Sequence, residues 1–206
     1  MKNTTLIILF LSCFSMLFSQ TPCNSGTAAG IAGVSSGAGH PCDGIDRASF
    51  VPRSTLGCNA AAGGGYLNDI WGWTDPVTNK EYAIVGMSNG TSFVDVTTPD
   101  SPIYIGRLAT HSSNSTWRDI KVYNNYAFIV SEASGHGMQV FDLTRLRNVA
   151  APPTPFTEDG HFGGFGNAHN VVINEDSGSV LLTGKKGVPV TSFADKFFQS
   201  ESAKGF

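Results

Sequence analysis

The sequence predicts an all-β protein: a repeated small sheet of three to four antiparallel strands, stacked as in a β-propeller whose ring is incomplete in this chain. Three observations predict it. Short apolar runs rich in β-branched and aromatic residues alternate with Asn, Ser, Gly and Pro turns. Glycine and β-branched residues recur too often for helices, with 24 glycines in the chain. The pattern also repeats, with Asp69, Asp119 and His169 as anchors about 50 residues apart, a spacing typical of propellers and solenoids.

The first 20 residues read as a secretory signal peptide. Lys2 is followed by a mostly apolar run over 6–18, broken by Ser12, Cys13 and Ser15, and then by Ser19 and Gln20. A transmembrane anchor is the competing reading, but the run is shorter than the roughly 20 residues a span needs. A lipoprotein signal ending at Cys13 also competes, against an apolar run that continues to Phe18. Residues 21–65 form a lead segment rich in Gly, Ala and Ser. Export permits a disulfide, and three cysteines follow the signal: Cys23, Cys42 and Cys58. Cys23 with Cys42 is the expected pair, since both lie in the lead segment. Cys58 then either pairs outside the chain or is a buried thiol. Asp43 and Asp46 lack the twelve-position loop of a calcium-binding hand.

The repeats are expected over 66–184, in units at about 66–108, 116–149 and 166–184. In the first, N-D-I-W-G-W, Y-A-I-V and S-F-V-D-V-T follow one another, with Asn89-Gly90 as a tight-turn signal. In the second, R-D-I-K-V-Y, Y-A-F-I-V and Q-V-F-D-L-T recur in the same order, with Asn124-Asn125 between the first two runs. Pro152, Pro153 and Pro155 argue against regular structure there. Phe156 opens an aromatic, Gly-rich loop to residue 166, and H-N-V-V-I-N begins the third unit. Residues 185–206 are a divergent tail without the F-V-D-V-T pattern.

These stretches resemble the choice-of-anchor B family, relatives of the LVIVD-repeat surface proteins. The likeness rests on residues 115–144, on G-F-G-N-A-H-N-V-V-I-N-E-D-S-G at 164–178 and on the lead-in P-C-D-G-I-D at 41–46, and spans roughly residues 20–184. It implies an exported, mostly bacterial β-propeller at or outside the cell surface, with no firmly attached reaction, of which this chain is an N-terminal fragment.

Charged residues are only 14% of the chain, against about 25% in an average globular domain. The net charge is −3 with no basic cluster, which argues against a nucleic-acid partner. The leading expectation is a secreted or cell-surface repeat scaffold binding a protein, peptide or glycan, without catalysis. Its binding candidates are Trp117, Arg118, Asp119, His169 and Asn170. The competing expectation is an exported propeller hydrolase or lyase with a metal-assisted site near His169. No cofactor is required by any motif. A divalent cation is the one that His161 and His169 could hold, although His136, His161 and His169 lack the spacing of a metal motif. Asp95 and Asp142, each followed by an apolar residue and Thr, are expected to hold strand-end turns.

Overall fold

The structure is a computed structural model that describes residues 23–24, 27–28, 40–41, 43, 46–58 and 65–183. The chain divides into two compact units, Met1–Ser49 and Phe50–Phe206. In the first, β1 (Cys23–Asn24), β2 (Thr27–Ala28) and β3 (His40–Pro41) form a small antiparallel sheet. The expected Cys23–Cys42 bond lies outside the described residues.

In the second unit the strands are β4 (Leu67–Thr74), β5 (Glu81–Met87), β6 (Gly90–Asp95), β7 (Ile103–Ala109), β8 (Arg118–Tyr123), β9 (Tyr126–Ser131), β10 (Met138–Asp142), β11 (Thr154–Phe156), β12 (Gly160–Phe162), β13 (Asn170–Asn174) and β14 (Ser179–Thr183). They make three sheets: five strands in the order β11-β7-β6-β5-β4, four in the order β12-β10-β9-β8, and the pair β13-β14. The turns follow from local chemistry. Asn124 and Asn125 both sit at positive φ, 47° and 64°, in the two-residue turn joining β8 to β9. Asp95 accepts from the Thr97 N–H, and Asp142 from the Thr144 N–H and hydroxyl, closing the turns after β6 and β10.

The alternation of each strand decides which layer it meets. One face of the five-stranded sheet contributes Trp73, Tyr82, Ile84, Phe93, Ile105 and Leu108 to a core shared with Ile120, Ala127, Ile129 and Phe141 of the four-stranded sheet. Phe93 stacks on Phe141 at 4.4 Å between ring centroids, and Phe156 meets both edge-on. Such pairs add about 0.5–1.5 kcal/mol each beyond the area they bury. The opposite face of the four-stranded sheet, with Phe128, Val130, Met138 and Val140, packs on Val171, Val180 and Leu182 of the two-stranded sheet.

The layers are also tied through their first strands. The Asp69 carboxylate of β4 accepts the Ile120 N–H of β8 at 2.8 Å. Asp119 of β8 accepts the Val171 N–H of β13 at 2.7 Å. This register puts Asn170, not His169, at the position of the two aspartates, one residue later than the sequence alignment expects.

The propeller expectation is corrected. Among the described residues of the second unit the sheets are three discrete, open layers of five, four and two strands, with no closure and no strong curling. Two strands lie between the expected second and third units. The proline segment expected to be irregular supplies β11, which lies parallel to β7, so the first layer takes its edge strand from between two strands of the second. Pro155 is tolerated there because an edge strand can forgo one N–H. Gly106 of β7 is what lets β11 approach, since a Cβ there would run into the Thr154 carbonyl oxygen. The expected loop at 156–166 likewise contains β12, the fourth strand of the second layer.

One buried ion pair joins the first two layers at the end opposite the histidines described below. Asp75 is fully buried and accepts from Arg147 Nε and Nη2 at 2.9 and 2.8 Å, from the Thr78 hydroxyl and from the Val77 N–H. The hydrogen-bonded guanidinium holds its carboxyl well below the usual carboxylate range, against the effect of burial. The unfolded chain therefore binds this proton first as pH falls. The stabilisation is complete above about pH 4 and is lost as pH drops toward the lower folded-state value. The Asp75→Asn variant is expected to melt several degrees lower at pH 7 and to lose less stability on acidification, as read by thermal denaturation at pH 7 and pH 3.

Candidate functional site

The loops before β8, after β9 and around β12 bring four of the five histidines to one end of the layers. At its centre is Arg118, 4% exposed. A guanidinium only donates. Arg118 gives Nε to the Met87 carbonyl at 3.0 Å, Nη1 to His136 Nε2 at 2.8 Å and Nη2 to the Thr110 hydroxyl at 2.9 Å. It thereby pins the end of β5, the 110–117 segment and the loop before β10 together. Burial lowers its pKa to about 10, so it remains a cation at neutral pH.

This cation fixes its neighbour's chemistry. His136 must accept at Nε2, so its proton sits on Nδ1, which donates to the Gly137 carbonyl at 3.0 Å. Burial, then the charge of Arg118, lower the His136 pKa to about 4. It is a structural histidine held neutral.

Two partner groups lie outward of this pair. His111 and His161 stack face to face, 3.5 Å between centroids with planes 7° apart. His161 Nε2 donates to the His136 carbonyl at 2.7 Å. His111 Nδ1 meets Glu158 Oε1 at 2.9 Å, and Glu158 Oε2 accepts from Gln139 Nε2 at 2.7 Å. On the other side, His169 Nδ1 meets Glu132 Oε1 at 2.5 Å, and its ring lies 6.0 Å from that of Trp117. Trp117 is 54% exposed, yet its backbone is pinned. Its N–H donates to Ser115 Oγ, and its carbonyl accepts from Ser115 Oγ, Ser131 Oγ and the Glu132 N–H. Each of the three exposed imidazoles thus commits one nitrogen to the protein.

The predicted binding residues separate accordingly. Trp117 and His169 come together at the surface, and Asn170 is exposed beside them at the start of β13. Arg118 is buried beneath. Asp119 is spent on the Val171 clip and on Lys121, 2.9 Å away. His161 and His169 fall in different clusters, and among the described residues no group of three or more His, Cys, Asp or Glu side chains is placed to hold a metal ion. Glu132 and His111 were not singled out by sequence reasoning. No local motif marks either one, and each gains its partner across 37 and 47 residues.

Cys58 is a buried free thiol whose Sγ donates to the Tyr66 carbonyl at 3.3 Å, with its pKa raised by burial. Among the described residues no helix is long and apolar enough to cross a membrane.

No protein-family model, no curated protein and no solved structure matches this chain. The resemblance to the choice-of-anchor B and LVIVD-repeat proteins is therefore corrected: no family model carries it, and the separate open sheets lack the ring it implies. The repeat-scaffold function falls with that ring. So does the propeller hydrolase or lyase, which rests on the same repeat architecture.

The neutrality of His136 is directly measurable. In a proton NMR titration its ring signals are expected to shift with a midpoint near pH 4, while a midpoint near the ordinary 6.5 would show that it is neither buried nor faced by Arg118.

Proposed function

We propose that this protein is exported and that its Trp117 end binds a glycan. The observation that carries the reading is the Trp117 indole, more than half exposed on a backbone anchored by four hydrogen bonds. An apolar side chain of this size is ordinarily buried, and one held rigidly in water offers a flat platform at low ordering cost. Sugar rings present C–H groups on one face and hydroxyls around the rim. The platform suits the first. The paired Glu132 and His169, with Asn170 beside them, supply acceptors and donors for the second. The low net charge and the absence of a basic cluster favour a neutral, polyhydroxylated ligand over a polyanion. Export is supported by Lys2, the apolar run over 6–18 and the polar residues after it.

The test is a screen of immobilised oligosaccharides and polysaccharides, followed by titration calorimetry on the best of them. Trp117→Ala is expected to weaken binding by about tenfold or more without lowering the melting temperature, since the side chain fills no core. A screen in which the wild type retains no glycan above the Trp117→Ala background would overturn the reading.

A further inference from the structure

Among the described residues, part of one face of the five-stranded sheet is left uncovered, and the rest of the molecule shows how such a face is covered. On this face Ile70 pairs with Val85 across β4 and β5, and Ala83 pairs with Val94 across β5 and β6. The four-stranded sheet has the same four positions in the same register: Ile120 with Ile129, and Ala127 with Phe141. All four of those are completely buried beneath the five-stranded sheet. Among the described residues the matching face is covered in part, by Leu56 and Cys58, against Val85, Met87 and Val94. Ile70 remains 63% exposed and Leu67 44%. Two shallow hollows, of about 470 and 380 Å³, flank Ile70. One is lined by Gly72, Ala83 and Val96, the other by Leu67 and Val85.

The opposite end of the stack carries the complementary half. In both internal contacts, the covering layer brings a first-strand acceptor, Asp69 or Asp119, to a backbone N–H of the layer it covers. Asn170 of β13 holds that position in the two-stranded sheet and is exposed, with an amide oxygen able to accept. Two residues along the same face, Val172 is 51% exposed, paired with Leu181 of β14.

We infer that the Ile70 face docks the β13–β14 face of a second copy of this chain, head to tail, continuing the contact made twice inside the molecule. The occupant is a second copy because the chain itself carries both halves of the contact at opposite ends of one stack, in matching register. Such a contact is heterologous: each copy uses one face and leaves the other available.

That asymmetry supplies the experiment. Ile70→Glu and Val172→Glu each place a charge on one exposed face and leave the core intact, which circular dichroism and melting temperature check. The full chain is followed by analytical ultracentrifugation over a concentration series. The wild type is expected to associate with rising concentration, and each variant alone to remain monomeric. An equimolar mixture of the two is expected to form one-to-one dimers, because each variant keeps the half that the other has lost. The proposal is overturned by a wild type that stays monomeric throughout. It is equally overturned by association that survives either substitution, or by a mixture that does not recover it.

Discussion

Everything in the second unit depends on how a sheet face is joined to the next sheet without leaving a polar group stranded. An outward-facing N–H on the first strand of a layer has no partner within its own sheet, and burying it unpaired costs about 1–3 kcal/mol. Asp69 and Asp119 remove that cost by accepting the Ile120 and Val171 N–H groups across the layers. The bonds hold β4, β8 and β13 in one relative register. Once that register is set, the alternation of each strand sends Ile120, Ile129 and Phe141 to one neighbour, and Phe128, Val130 and Val140 to the other. Burial raises the pKa of Asp69, opposed chiefly by the Ile120 N–H it accepts. The carboxylate and the backbone donor therefore depend on each other.

The buried arginine solves a different problem at the end of the layers. Arg118 is a cation among neutral acceptors: two from the protein's carbonyl and hydroxyl groups, and the third from His136. An imidazolium at that position would oppose it directly, so the histidine is kept neutral and becomes part of the frame. The frame in turn fixes the segment from Thr110 to Trp117 and the loop carrying Glu132. This is how the backbone beneath a surface tryptophan comes to be anchored. The proposed binding face rests on a buried network that touches no ligand, and substitutions at Arg118 or His136 would disturb Trp117 only through the backbone.

The sequence reveals the strands much better than their assembly. Runs such as R-D-I-K-V-Y and Y-A-F-I-V alternate strongly, and Asn124-Asn125 leaves few choices for the turn between them, so β8 and β9 could be read directly. The turn roles of Asp95 and Asp142 were equally local. Assembly was not. β11 contains a proline and only three residues, and its place beside β7 depends on a missing side chain at Gly106, a condition no periodicity records. The ring expectation failed for that reason: a repeat in sequence was read as a repeat in layer size, while short edge strands made the layers unequal. The one-residue slip at His169 has the same origin. The aligned pattern has no aspartate to mark the third copy, and only the hydrogen bond to Val171 shows that Asn170 holds the place.

The site shows a parallel division. Trp117 was legible as an aromatic residue following a polar linker and His169 as part of a polar set breaking the repeat, and they do meet. Arg118 and Asp119 carried the same kind of signal but turned inward, because strand alternation alone does not say which face will be covered. The missing partners, Glu132 and His111, are ordinary loop residues whose roles exist only after the layers stack. A strand-start Asp, Arg or His can therefore serve equally as a layer clip, a buried tie or a surface group. What separates the three outcomes here is the neighbour the stacking delivers: a bare backbone N–H for Asp119, a carbonyl, a hydroxyl and an imidazole for Arg118, and a half-buried carboxylate beside an indole for His169.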